Sequence, residues 1–287
     1  MRSPLRAAAT NDLAGIRARH PDVFALSPAQ RLTGPAIVAI GVGLALYALW
    51  RLEFSFERIG TGIVQLGYFL TLMVPPSSGG KFAMYLGALA ETLAIAFLGT
   101  LVAAVLAVPA ALLAARNVVA NRVVHFLARR GLDSIRGIDT LIWALIFVSA
   151  VGLGPFAGML AIAAADFGAF GKLFSEAMEN SDRKPVDGVL ASGGSEIHAV
   201  RFGVLPQVFP VMLSQVLYYI ESNTRSATII GIVGAGGIGL HLAEEIRTLE
   251  WSRVAFLVLM ILVTVAAIDS VSARVRFAII GDRRRAA

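Results

Sequence analysis

Along the chain, long apolar runs alternate with short polar segments in which arginine recurs. A bilayer core of about 30 Å needs about 20 apolar helical residues to cross it. That ruler marks six spans: Pro35–Leu52, about Phe82–Leu113, about Ile138–Val151, Phe156 to about Phe174, Leu205–Val233 and Val254–Val271. The first lies too deep and runs too long for a signal peptide, so it is expected to stay as an anchor. The third is short for a crossing, and Gly152-Leu153-Gly154-Pro155 after it reads as a turn. The third and fourth spans are therefore expected to form a tight hairpin with a broken helix.

Composition agrees. Of 287 residues, 57% are apolar and 15% charged, against about 25% charged in soluble domains. The mean hydropathy is +0.74. One soluble core could not hide this much apolar surface. The absence of cysteine excludes a disulfide scaffold, and 28 glycines without a strict period exclude collagen. The expectation is an all-α polytopic membrane protein: residues 1–34 a cytoplasmic segment, 35–80 the first span and an external loop, 81–280 the core, and 281–287 a basic tail.

The net charge of +6 gathers in three arginine groups: Arg2 to Arg31, Arg116 to Arg136, and Arg274 to Arg285. Short basic loops mark the cytoplasmic side of a membrane protein, and six spans place all three groups there. Both termini are then cytoplasmic, and the loop from Glu53 to Lys81 is external. This spacing favours topology and lipid headgroups over nucleic acid. Within the outer loop, Ile59 to Met73 reads either as an interfacial helix or as an ordered loop.

Candidate chemistry is sparse. Gly234, Gly236 and Gly239 fit the dinucleotide fingerprint G-x-G-x-x-G, but a membrane span precedes them and no acid follows at the required distance. With Gly237, they read better as a close-packed, bent end of the fifth span, or as a gate. There is no phosphate-binding loop of the G-x-x-x-x-G-K-[ST] type, no H-E-x-x-H and no C-x-x-C, and His20, His125, His198 and His241 are scattered. No catalytic residue, metal or cofactor is expected in this chain. Charges inside a span are the sharper signal. Glu221, Asn223 and Arg225, with Ser226 and Thr228, interrupt the fifth span, where a charge costs about 2.5–3.5 kcal/mol. Two compatible readings stay open: a local Glu221–Arg225 pair at i, i+4, and a direct role beside a transported species. Glu91 and Asp166 are weaker cases, placed at the membrane edge.

Ser175 to Phe202 is long, polar and broken by Pro185 and Gly193-Gly194, as for a segment of two short helices facing a soluble partner. Within this coupling region of about 175–205, Asp187-Gly188-Val189, then Gly193, then Leu205-Pro206 resembles the signature of ABC-importer permeases, an E-A-A triplet followed by G and then L-P. Asp187 replaces Glu, Gly188 and Val189 replace the alanines, and Gly203 stands where a larger apolar residue is usual. Trp143 to Pro155, and Asn223-Thr224-Arg225-Ser226-Ala227-Thr228 with the following glycine run, are similar to the phosphonate-transport permeases. The resemblance covers roughly residues 137–280. It implies a homodimeric subunit of a type I importer in the bacterial inner membrane, moving phosphonate or a related phosphorus oxyanion by alternating access. It also implies two cytoplasmic ATPase subunits, which would carry Mg-ATP, and an external binding protein. The alternatives are a secondary transporter using Glu221 and Arg225, and a membrane enzyme or scaffold, disfavoured by the missing catalytic groups.

Overall fold

The computed structural model describes Gly15, Ala18, residues 28–119 and residues 121–281. The expectations for most of residues 1–34 and for the arginines at 282–287 lie outside them. The chain divides into two compact units, one ending at Tyr68 and the other beginning at Phe69. The helices in order are α1 (Pro28–Arg51), α2 (Phe56–Leu72), α3 (Phe82–Ala114), α4 (Arg122–Arg136), α5 (Thr140–Val151), α6 (Pro155–Glu179), α7 (Arg183–Ala191), α8 (Leu205–Gly231), α9 (Ile238–Arg247) and α10 (Trp251–Gly281). The stretch read as interfacial helix or ordered loop is therefore helical, as α2.

Among the described residues, five helical stretches are long and apolar enough to cross a bilayer: Thr33–Arg51, Phe82–Ala114, Pro155–Glu179, Glu196–Gly231 and Trp251–Val275. Among the same residues a sixth crossing is counted if α4 and α5, bent by 85° at a short break, are taken as one span. At 1.5 Å per residue, the 12 residues of α5 reach about 18 Å, too short to cross alone. The turn after α5 is built on Gly152 (φ +93°) and Gly154 (φ +133°), with Pro155 opening α6. Proline suits a first helical turn because its missing N–H would have no partner there.

The arginine-rich stretch expected as a loop holds α4. Asn121 starts it by accepting from the Val123 and Val124 N–H groups. One side seats Leu132 against α6, where Gly168 and Gly171 leave room. A side-chain carbon on Gly168 would stand 2.7 Å from the Arg136 nitrogen. Ion pairs reinforce the contact: Arg129 reaches Glu179 at 3.0 Å and Glu176 at 3.4 Å, and Lys172 reaches Asp133 at 3.1 Å.

Because lipid tails are as apolar as leucine, close packing rather than water exclusion must join the helices. The α3 face toward α6 and α8 accordingly carries Ala103, Ala104, Ala107 and Ala111, on which Phe170, Phe174 and Met212 pack. A second cluster joins Ile95 and Ala96 to Ile162, Ala227 and Ile230. A third joins Tyr85 and Ala88 of α3 to Ile238 of α9 and Leu257 of α10.

Between α6 and α8 the chain makes an elbow. Asp182 caps α7 by accepting from the Lys184 N–H. Gly193 (φ +86°) ends it, its N–H bonding the Leu190 carbonyl while the Gly194 N–H bonds that of Val189. Residues Ala199–Val204 then form a wide π-helical turn that feeds into α8. The departure at Gly203 has a steric reason: a side-chain carbon there would lie 2.9 Å from the Val186 Cα. Gln207 pins the elbow, accepting from the Asp182 N–H at 3.0 Å and donating to the Asp182 carbonyl at 2.9 Å.

Candidate translocation helix and coupling elbow

The two sides of α8 differ in chemistry. Val208, Met212, Asn223, Thr224, Ala227, Thr228 and Ile230 are buried against the bundle. Beside this face, Gln215, Tyr218, Ser222 and Arg225 follow at intervals of three or four residues and form one polar stripe, exposed at Tyr218 and Arg225 and turning in toward α6 at Gln215. The Arg225 side chain is 50% exposed and stands 3.6 Å from Glu221, whose side chain is 9% exposed. Such an exposed cation is costly against lipid and calls for a water-filled cavity or a protein partner. Of the five residues expected on a translocation path, Arg225 opens outward and Ser226 is half-buried, while Glu221, Asn223 and Thr228 turn inward.

Asn223 donates to the Thr100 hydroxyl at 2.7 Å and to the Asp166 carboxylate. Asp166, placed by its sequence near the membrane edge, lies midway along α6 and is buried. The Thr224 and Thr228 hydroxyls donate to the Ile220 and Thr224 carbonyls.

Toward the elbow, the α8 stripe runs into a polar cavity of about 420 Å³ between α6 and α8, lined by Glu176, Asn180, Asp182, Gln207 and Gln215. The Gln215 Oε1 points inward with no hydrogen-bond partner. A separate groove of about 540 Å³ between α3 and α8 is lined by Leu101, Val105, Phe209 and Leu213 and is wholly apolar. Chemistry therefore assigns the first cavity to water and the second to hydrocarbon.

The glycine run after α8 folds into a compact turn. Gly234, Gly236 and Gly237 all have positive φ, between +73° and +94°. A side-chain carbon on Gly231 would stand 2.5 Å from the Gly236 carbonyl, and one on Gly239 would collide with the Thr228 carbonyl. Two residues of α3 cap the helix that follows: Glu91 accepts from the Gly237 N–H and Thr92 from the Ile238 N–H, both at 2.8 Å. Farther along α9, buried Glu245 accepts from Lys81 at 2.7 Å, Tyr85 at 2.8 Å and Arg253 at 3.3 Å. Burial pushes the Glu245 carboxyl up, but these three donors outweigh it and hold the group below the usual carboxylate range.

At the elbow, Asp187 is exposed and pairs with Arg183 at 3.5 Å, and nothing lies near a side-chain carbon added to Gly188 or Gly193. Val189 and Leu205 are half-buried and Pro206 is exposed. Ile197 and Phe202 present apolar surface beside them, with Arg201 over the Phe202 ring at 5.3 Å.

Thr100, Asp166 and Gln215 went unassigned to any site in the sequence. Their signal is polarity inside apolar runs, but the Asn223 partner of Thr100 and Asp166 lies on another helix, and Gln215 meets its cavity only in the fold.

Residues 107–280 match the family described as "Binding-protein-dependent transport system inner membrane component". The phosphite transport system permease protein PtxC of Stutzerimonas stutzeri is 34% identical over 269 residues, covering 90% of this chain and 98% of that protein. The phosphate-import permease protein PhnE of Mycolicibacterium smegmatis is 38% identical over 247 residues, covering 86% of this chain and 46% of its own. Among solved structures, the MetNI methionine ABC transporter in an inward-facing form aligns with a TM-score of 0.61 at 17% identity, over 71% of this chain and 99% of that one. That likeness shows the fold.

Proposed function

The chain belongs to the binding-protein-dependent transport system inner membrane components, and we propose that it carries a phosphorus oxyanion along the α8 stripe that holds Arg225. Members of this family are polytopic permease subunits of bacterial ABC importers in the inner membrane, working with ATPase and substrate-binding partners rather than as enzymes. The substrate class follows the relatives named for phosphite and phosphate.

The observation that carries the reading is the half-exposed Arg225 on the polar side of α8, in line with the polar cavity at the elbow. An arginine fork suits an oxyanion through charge-assisted hydrogen bonds. Its Glu221 neighbour at 3.6 Å tempers that attraction, which favours passage over retention. Past Arg225 the stripe offers neutral hydroxyl and amide groups, and the cavity continues them with Asn180, Gln207 and Gln215.

Two copies facing each other through this stripe would enclose the path. Both termini lie in the cytoplasm, and the elbow from Asp187 to Pro206 meets the ATPase. Ile197 and Phe202 supply its apolar contact, and Gly193 supplies the turn. Closure of the ATPase pair then rocks the bundles between outward and inward access. Mg-ATP binds on the ATPase partner, because this chain has no phosphate-binding loop.

The test is uptake into proteoliposomes holding the permease and its ATPase, with the binding protein and phosphite outside. ATP-dependent accumulation is the expected result. Accumulation driven by a proton or sodium gradient without the ATPase would replace this reading with a secondary transporter.

A further inference from the structure

The glycine turn after α8 is where three helices are tied together, and one carboxylate is among its ties. Gly237 opens α9 and has no side chain to cap it, so the first N–H groups of that helix must find acceptors elsewhere. α3 provides them. The Thr92 hydroxyl is committed to this task, since it donates to the Ala88 carbonyl and keeps its oxygen for the Ile238 N–H. The Glu91 carboxylate takes the Gly237 N–H, and a helix N-terminus favours such a negative charge. Gly236 is needed for that approach: a side-chain carbon there would lie 2.7 Å from the Glu91 Oε1 and 2.7 Å from the Pro155 nitrogen.

The same turn is bound to α6, whose Gly154 N–H donates to the Gly234 carbonyl at 2.9 Å. The other end of α9 is bound to α3 again, through Glu245 with Lys81 and Tyr85. α9 therefore rides on α3 at both ends, and the segment from Gly231 to Gly237 is the joint between that pair and α8. Rotation of α8 against α3 therefore loads this joint, whose α9 end the Glu91–Gly237 bond anchors.

We propose that Glu91 is a positioning residue of the transport cycle, whose carboxylate latches the glycine joint at α9 and is released and retaken as α8 moves against α3. The proposal rests on the permease reading and adds to it a residue outside both the α8 stripe and the elbow. A charged acceptor on a helix N-terminus is strong enough to hold one state. It is also a single contact, which breaks without unpacking the Tyr85–Ala88–Ile238–Leu257 cluster.

The experiment uses the assembled transporter in proteoliposomes, with Glu91→Ala and Glu91→Gln. Each is also made beside Val233→Cys, a thiol reporter in the joint of this otherwise cysteine-free chain. Two quantities are read: the rate of reporter modification without ATP, and uptake per ATP hydrolysed. Glu91→Ala is expected to raise the first at least tenfold and lower the second at least threefold. Glu91→Gln, which keeps an uncharged acceptor, is expected to fall between it and the parent. If Glu91→Ala does not accumulate, Glu91→Gln decides by the same two readings. Parental modification rate and parental uptake per ATP, at normal or reduced abundance, would overturn the proposal by reducing Glu91 to a structural cap. Failure of the permease reading would show separately, as a parent transporter without ATP-dependent uptake whose reporter still answers to Glu91.

Discussion

Asn223 and Asp166 meet inside the helix bundle, the amide N–H of one on the carboxylate of the other, and Thr100 shares the same amide. This contact joins α3, α6 and α8 at a depth where water cannot replace a lost partner. Removing one side leaves a buried polar group unsatisfied, at a cost of about 1–3 kcal/mol, and more when that group is charged. Asn223→Ala is therefore expected to lower the unfolding midpoint in detergent clearly, and Asp166→Asn, which retains a polar partner, to lower it less. Equal midpoints for Asn223→Ala and the parent would remove the contact from the account of stability.

The glycine joint gives a steric prediction. Gly231→Ala sets a methyl group 2.5 Å from the Gly236 carbonyl, whereas nothing lies near the corresponding carbon at Gly87. Overpacking costs about 1–3 kcal/mol. Gly231→Ala is expected to reduce folded yield and midpoint, with Gly87→Ala unchanged, as read by fluorescence-detected gel filtration over a temperature series.

Glu245 sets a pH dependence. Burial raises its carboxyl pKa, but Lys81, Tyr85 and Arg253 lower it more, so the folded value lies below the unfolded one. A depressed acid stabilises the fold fully above its unfolded pKa, about 4.3 for Glu, and loses that contribution as pH falls through the folded value. Midpoints of the parent and of Glu245→Gln in nanodiscs should differ by a constant amount above about pH 5 and converge below pH 4. A gap that instead widened on acidification would contradict the sign.

At the elbow, Gly193 carries φ +86° in open space, so a large side chain strains the backbone without meeting this chain. Gly193→Trp is expected to keep membrane abundance and to abolish binding-protein-stimulated ATP hydrolysis by the assembled transporter, because the indole would stand on the surface proposed to meet the ATPase. Normal stimulated hydrolysis would move the docking site elsewhere.

What could be read from the sequence, and what could not, divides by the range of the forces involved. The long helices were legible because the bilayer imposes a local length and polarity rule on each. The brevity of α5 was legible for the same reason, since Gly152 and Gly154 break the run before it can span. α4 was hidden by its own charges: Arg122, Arg129, Arg130 and Arg136 read as a basic loop, though Asn121 offered a cap and Leu132 a buried face. α9 was missed because ten residues between a glycine run and a span carry too little pattern. Glu91 and Asp166 stood out as acids within apolar runs. Their roles depend on Gly237, 146 residues away, and Asn223, 57 residues away, which no local pattern reveals.

The central claim is that a positive charge at position 225 meets the moving oxyanion, and exchanging the charges of Glu221 and Arg225 tests it most directly. The pair stands 3.6 Å apart, so Glu221→Arg with Arg225→Glu preserves the attraction while moving the cation one helical turn. ATP-dependent phosphite uptake is measured in proteoliposomes at matched abundance. The account predicts that the double exchange restores abundance lost in either single variant and leaves uptake at least tenfold below the parent. Full recovery of both would make the pair structural and contradict the path through Arg225.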